Sequence, residues 1–129
     1  MNAILSEKEK EFQKLGIKTK LALMIPRGLK LDPLHLCSLF SNLLDNALEA
    51  LAELPQEKRE LELNAEMKGA YLFVKARNAS EKSHAVRKRR KGRGYGTQIL
   101  QELAETYEGN YQAGYEKGWY TAVVMVKAV

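Results

Sequence analysis

The longest regular pattern of apolar residues in the chain lies between Asp32 and Pro55. In this segment apolar residues recur at intervals of three and four, which is the period of an α-helix with one apolar side. Asp32 is a favourable N-cap, and Pro33 suits the first helical position. The segment therefore predicts a helix that faces a core through Leu36, Leu39, Phe40, Leu43, Ala47, Leu48 and Leu51.

Two shorter segments have the same helical period. Residues 3–15 have a sparse apolar side and are followed by Gly16, and residues 97–108 have a denser one and are followed by Gly109. Glycine is the commonest residue after a helix C-terminus, so both are predicted caps. The predicted apolar positions are Ile4, Leu5, Phe12, Ile99, Leu100, Leu103, Ala104 and Tyr107.

The remaining regular segments alternate between apolar and polar residues, as strands do. IKTKLALMI places Ile17, Thr19, Leu21, Leu23 and Ile25 on one face and ends at Pro26. ELELNAEM and AYLFVKARN form a predicted hairpin around Gly69, and NYQAGYE and WYTAVVMVK form another near Lys117 and Gly118. The elements predict an α/β sandwich, with three helices layered on one face of a mixed, about five-stranded sheet.

Composition fits one domain covering residues 1–129. The chain is 45% hydrophobic, enough for a core, and its apolar runs are shorter than the roughly 20 residues of a membrane-spanning helix. The charged N-terminus does not resemble a signal peptide, so we expect a soluble cytoplasmic domain. The single Cys37 and two distant histidines give no spacing typical of a thiolate or imidazole metal site.

Basic charge is concentrated in one stretch, RKRRKGRGYG at residues 87–96. The chain has 21 Lys and Arg against 16 Asp and Glu, and without the six basic residues of this stretch the numbers are 15 and 16. The stretch lies in a long polar segment, 79–96, of a length typical of functional lids or disordered loops. It could clamp nucleic acid or close over a nucleotide.

The polar side of the predicted long helix carries unusual residues. Ser38, Asn42, Asp45, Asn46 and Glu49 share this side at helical spacing. A solvated face would explain them, but asparagine is a poor helix former. Its amide oxygen is a hard ligand that can join phosphate oxygens around Mg²⁺.

A glycine-rich turn opens the third predicted helix. In GRGYGTQIL, Gly92, Gly94 and Gly96 let backbone N–H groups approach a ligand, and the helix that starts near Thr97 directs its N-terminal dipole to the same place. The turn therefore predicts a phosphate site, although a flexible linker has the same composition.

These two motifs resemble those of a known superfamily. NLLDNALEA resembles the N box of the GHKL ATPases, and GRGYGTQIL resembles their second glycine box, in the same order with a lid between them. The sequence is most similar to the ATP-binding domains of quorum-sensing histidine kinases of the AgrC and VirS type, whose first helix and strand resemble AILSEKEKEFQKLGIKT. The resemblance implies a Bergerat-type ATP-binding fold with residues 79–96 as the ATP lid.

The first glycine box departs from the superfamily pattern. Asn78 stands where most members have the aspartate that accepts a hydrogen bond from adenine, and Ser80 replaces the first glycine, as in the AgrC-like branch. Arg93 stands where that branch commonly has histidine. An amide can accept the same hydrogen bond without a charge, which implies weaker binding of adenine.

The resemblance also implies roles for individual residues. Asn46 coordinates Mg²⁺ with the triphosphate, Asn42 contacts phosphate or water, and Asp45 orders the helix or a nearby water. Because ATP-hydrolysing members have glutamate at the position of Asn42, and an amide cannot act as a general base, phosphoryl transfer is favoured over hydrolysis. The other implied ATP-binding residues are Asn78, Lys91, Gly92, Arg93, Gly94, Tyr95, Gly96, Thr97 and, below adenine, Thr121.

The implied activity is that of a protein histidine kinase that binds Mg-ATP and phosphorylates a histidine on its own dimerisation domain. His35 and His84 are not expected to be that acceptor, so we expect a missing upstream sensor and phosphoacceptor part and no autophosphorylation by this fragment alone. The expected setting is the cytoplasmic part of a membrane-bound sensor with a downstream response regulator, without direct contact with membrane or nucleic acid. A degenerate GHKL scaffold, a nucleic-acid module using residues 87–93 and an anti-sigma-type serine kinase are the alternatives.

Overall fold

A computed structural model describes residues 2–81 and 95–129, with side chains for 5–81 and 96–129. The basic stretch at 87–93 and most of the predicted lid lie outside the described residues. Within these residues the chain forms three helices and five strands, together with a 3-10 turn, Gln56–Lys58. These elements are α1 (Asn2–Lys14), β1 (Lys18–Leu23), α2 (Pro33–Ala52), β2 (Glu60–Lys68), β3 (Tyr71–Ala79), α3 (Tyr95–Thr106), β4 (Asn110–Glu116) and β5 (Trp119–Lys127).

The five strands form one mixed sheet in the order β1-β2-β3-β5-β4. β1 is parallel to β2, and all other neighbours are antiparallel. Leu63, Ala76 and Ala122 lie opposite one another across the centre of the sheet, and all three are buried. The two hairpins lie where the alternating pattern predicts them.

All three helices cover the same face of this sheet. Phe12 of α1 and Leu100 of α3 belong to one core cluster with seven buried side chains of α2 and with alternate residues of the strands. The strand residues that alternate with the core residues, such as Glu62, Asn64 and Lys75, point to the other face of the sheet and are half-buried or exposed. The predicted α/β sandwich with helices on one face is therefore confirmed.

The long helix α2 begins where its capping residues predict. The Asp32 carboxylate accepts a hydrogen bond from the Leu34 N–H at 2.9 Å, and Pro33 is the first helical residue. This bond satisfies one of the N–H groups that have no partner within the helix. No helix in the described ranges combines the length and apolar character required to cross a bilayer.

Three local predictions need correction. Leu21 lies on the predicted apolar face of β1 but is 38% exposed, because β1 is an edge strand and the helices pack over the centre of the sheet. Ile99, predicted on the apolar side of α3, is also exposed. The left-handed residue after α3 is Glu108, with φ 53°, whereas Gly109 is required for another reason: a Cβ there would lie 1.7 Å from the Met125 carbonyl oxygen.

Candidate nucleotide site

Asn42 and Asn46 lie one turn apart in the middle of α2, and both are half-buried. The Asn42 side-chain nitrogen donates to the Ser38 carbonyl at 2.7 Å and to the Ser38 hydroxyl at 3.2 Å. These bonds fix the orientation of the Asn42 amide and leave its oxygen for another partner. Within the described residues the Asn46 side chain makes no hydrogen bond.

The N-terminus of α3 lies against these two amides. A Cβ placed on Gly96 would be 3.2 Å from the Asn42 Oδ1 and 3.4 Å from the Asn46 Oδ1. Two amide oxygens thus converge beside the N-terminus of a helix, where backbone N–H groups and the helix dipole favour an anion. Thr97, in the same turn, is half-buried. The structure therefore brings Asn42, Asn46 and Gly96 together, and a role of these residues and Thr97 in binding a nucleotide stays a prediction.

Asp45 lies on the same side of α2 but points to α1. Its carboxylate forms an ion pair with the Lys8 ammonium, and Glu11 lies 4.0 Å from the same ammonium. The Lys8 side chain is only 13% exposed, whereas that of Asp45 is 56% exposed. Sequence reasoning did not identify Lys8, because no pattern in α1 shows which of its many charges meets α2.

Asn78 occupies the end of β3 on the face that carries the helices. It lies opposite Leu61 of β2 and Tyr120 of β5 and is only 2% exposed. Its side-chain nitrogen donates to the Ala79 carbonyl at 3.0 Å, so the amide oxygen remains an acceptor for a ligand. Ser80, which follows the strand, is tied to Gly118 by a backbone hydrogen bond of 2.9 Å.

Thr121 does not join this group, which corrects the sequence prediction. It lies opposite Arg77 on β3, one residue from the Asn78–Tyr120 pair. Because side chains alternate between the faces of a strand, Thr121 is on the face of the sheet away from the helices. That face carries the Arg77 guanidinium, 4.5 Å from the centre of the Trp119 ring and 2.9 Å from a Glu62 oxygen.

The remaining predicted ATP-binding residues lie outside the described parts of the chain. Lys91, Gly92, Arg93 and Gly94 belong to the segment without described positions, and only the backbone of Tyr95 is described. Their contacts with a nucleotide stay predictions.

The start of α2 and the residue that follows α3 are joined by a polar junction, at the end of the α2–α3 contact away from Gly96. The Tyr107 hydroxyl accepts from the Asp32 N–H at 3.1 Å, and the His35 Nδ1 lies 2.6 Å from the same oxygen. The two rings meet edge to face with centroids 5.5 Å apart. His35 is therefore a structural residue of the helix junction, as expected for a partly buried histidine.

Several solved structures resemble the chain in fold. Histidine kinase AdeS of Acinetobacter baumannii matches 98% of this chain with a TM-score of 0.69 and 12% identity, and the chain spans 64% of that structure. The catalytic domain of histidine kinase ThkA matches 98% of the chain with a TM-score of 0.73 and 15% identity, over 90% of its own length. The cytoplasmic segment of histidine kinase QseC matches 99% with a TM-score of 0.66 and 22% identity, over 72% of its length.

These structural likenesses establish a shared fold. No curated protein sequence matches the chain. A sequence-family model described as the GHKL domain matches residues 31–127, a range that includes α2, Asn78 and α3. The chain therefore belongs to the GHKL domain family.

Proposed function

We propose that the chain is the ATP-binding catalytic domain of a sensor histidine kinase, which transfers the γ-phosphoryl group of ATP to a histidine on a separate dimerisation domain. The supporting observation is the convergence of the Asn42 and Asn46 amide oxygens beside Gly96 at the start of α3. GHKL domains of histidine kinases bind ATP, and structures with this fold include several histidine kinases.

The phosphates are proposed to bind at the N-terminus of α3. Backbone N–H groups there donate to phosphate oxygens without needing a side chain. The Asn46 and Asn42 oxygens fit a hard cation such as Mg²⁺, because neutral oxygen ligands lie beside the same helix end without adding carboxylate repulsion. When bound, Mg²⁺ would neutralise phosphate charge, with Asn46 as its ligand from the protein.

Adenine is proposed to lie against the end of β3. The Asn78 amide is buried, and its nitrogen is already bound to the Ala79 carbonyl. The remaining acceptor oxygen matches the donor character of the adenine amino group. An amide forms a weaker bond to this group than a carboxylate does, so we expect modest affinity for the base.

Transfer to a protein acceptor is favoured over hydrolysis at this site. A hydrolase needs a base that removes a proton from the attacking water, and Asn42 offers only an amide held by Ser38. Lys91 and Arg93 of the lid are proposed to neutralise charge on the transferred group.

The proposal extends to the domain's setting. We place the chain in the AgrC and VirS type because Asn78 and Ser80 follow that branch's form of the first glycine box. Residues 1–129 would form one domain, with 79–96 as its ATP lid. Its partners would be a dimerisation domain carrying the acceptor histidine and a downstream response regulator, in a membrane-bound sensor.

Calorimetry with ATP or ADP in the presence of Mg²⁺ tests the proposal. We expect saturable binding by the wild type, at least tenfold weaker binding by Asn46→Ala, and no change in Asn64→Ala, an asparagine exposed on β2. Lack of binding at millimolar nucleotide would contradict the proposal and favour a degenerate scaffold. Tight, salt-dependent binding of duplex DNA instead would identify a nucleic-acid module.

A further inference from the structure

The Asp45 carboxylate lies beside the two amides of the candidate site. Asp45 lies next to Asn46 in sequence and one turn from Asn42 on the polar side of α2. A triphosphate bound beside these amides would carry several negative charges. An unpaired carboxylate on Asp45 would repel these phosphate charges. Unit charges interact over several ångströms even in partly aqueous surroundings.

The structure supplies a cation for this carboxylate from another helix. The Lys8 ammonium of α1 forms an ion pair with Asp45 across the α1–α2 contact. Its side chain is 13% exposed, so it is largely buried and its ammonium has a restricted position. Glu11, at 4.0 Å, is the more distant of its two acidic partners.

We infer that Lys8 is a positioning residue of the nucleotide site: it holds the Asp45 carboxylate on the α1 side of α2 and cancels its charge, so that this carboxylate does not repel a polyphosphate bound beside Asn42 and Asn46. The inference rests on the proposed nucleotide binding. It assigns α1 a part in the affinity of a site that is built by α2 and α3. Docking of α1 and occupancy of the site are consequently coupled.

The inference predicts changes of opposite sign for the two partners. Removing the cation with Lys8→Met leaves an unpaired carboxylate, and we expect ATP to bind about fivefold more weakly. Removing the carboxylate with Asp45→Asn leaves the cation facing the phosphates, and ATP should bind about threefold more tightly. The double variant should return close to wild-type affinity. A role limited to helix packing would not produce this inversion.

The experiment is calorimetry at low ionic strength with Mg-ATP and, separately, with uncharged adenosine. Lys8→Arg should retain wild-type affinity, and Lys10→Met, which removes an exposed lysine of α1, is the matched control. Adenosine binding should be unchanged in all variants, because adenosine lacks the charge on which the ion pair acts. Circular dichroism of each variant verifies folding, and Asp45→Asn tests the sign if Lys8→Met does not fold.

The outcomes separate this inference from the proposed function. Shifts of the same direction in Lys8→Met and Asp45→Asn, or an unchanged ATP affinity in both, would overturn the role of Lys8 while leaving nucleotide binding intact. A wild-type domain that binds neither ATP nor adenosine would overturn both.

Discussion

The two ends of α3 differ in how the polar groups around them are hydrogen-bonded. At its C-terminal end, the Gly109 N–H donates to the Ala104 carbonyl at 2.7 Å, and the Lys127 N–H donates to the Tyr107 carbonyl at 2.9 Å. The Tyr107 hydroxyl there also joins the start of α2. At its N-terminal end, Gly96 faces two side-chain oxygens that are not occupied by described neighbours.

This difference separates groups that maintain the fold from groups available to a ligand. Buried polar groups are normally hydrogen-bonded within a protein, and those at the C-terminal end of α3 obey this rule. The amide oxygens at the N-terminal end gain a partner only when something binds. Substitutions at the C-terminal end should therefore change stability, and those at the N-terminal end should change affinity.

The largest effect is expected for Gly109→Ala. The added Cβ would lie 1.7 Å from the Met125 carbonyl oxygen and 2.6 Å from its carbon, and backbone atoms of a central strand cannot rotate away. We expect a loss of about 3 kcal/mol in the free energy of unfolding, measured by urea denaturation. The folded protein should keep its nucleotide affinity.

Gly114→Ala is the matched control for this prediction. No atom lies within 4 Å of the Cβ that would be added there on β4, so its stability should change by less than about 0.5 kcal/mol. Equal stability of the two alanine variants would show that the chain relaxes around Gly109.

Gly96→Ala should show the reverse behaviour. Its Cβ would meet only the ends of the Asn42 and Asn46 side chains, which can yield by a few tenths of an ångström, and alanine is a better helix former than glycine. Stability should stay within about 1 kcal/mol of the wild type. The methyl group occupies the space beside both oxygens, so we expect roughly tenfold weaker binding of Mg-ATP in calorimetry.

Gln98→Ala, an exposed change in the same turn of α3, is the control for Gly96→Ala. Equal affinity of these two variants would contradict the assignment of the N-terminal end to ligand binding.

The smallest of these effects is expected for Tyr107→Phe. The change removes the hydroxyl shared by His35 and the Asp32 N–H but keeps the ring. A loss of about 1 kcal/mol in unfolding free energy is expected, with no change in nucleotide affinity. Tyr115→Phe, on β4, removes a hydroxyl without such a bond among the described residues. If Tyr115→Phe lowers the unfolding free energy as much as Tyr107→Phe does, the hydrogen bonds of the Tyr107 hydroxyl do not contribute to stability.

The sequence predicts the elements and the asparagine pair well because both depend on local periodicity. Residues one turn apart in a helix share a side whatever the helix packs against, so Asn42 and Asn46 can be placed before the fold is known. The capping residues Asp32 and Pro33 act within one turn for the same reason. The place of Gly96 beside them came from a family resemblance, since no local rule joins residues fifty positions apart.

Predictions that depend on tertiary geometry were less successful. Along a strand, a shift of one residue moves a side chain to the other face of the sheet. The pairing of β3 with β5 puts Thr121 opposite Arg77 rather than Asn78. The need for Gly109 comes from the backbone of β5, which helix-capping rules do not include. The partner of Asp45 depends on how α1 docks, and the charges of α1 do not show this.

The sheet order has a consequence for how the domain is made. β5 is the last strand in the chain, yet it lies between β3 and β4 and pairs with both. During synthesis, the hairpin of β2 and β3 can form early, whereas β4 has no partner until β5 emerges. Asn42, Asn46 and Gly96 are thus all synthesised before the strand that completes the sheet beneath them. Termination before Trp119 should therefore yield a chain that contains every residue of the nucleotide site but cannot assemble it.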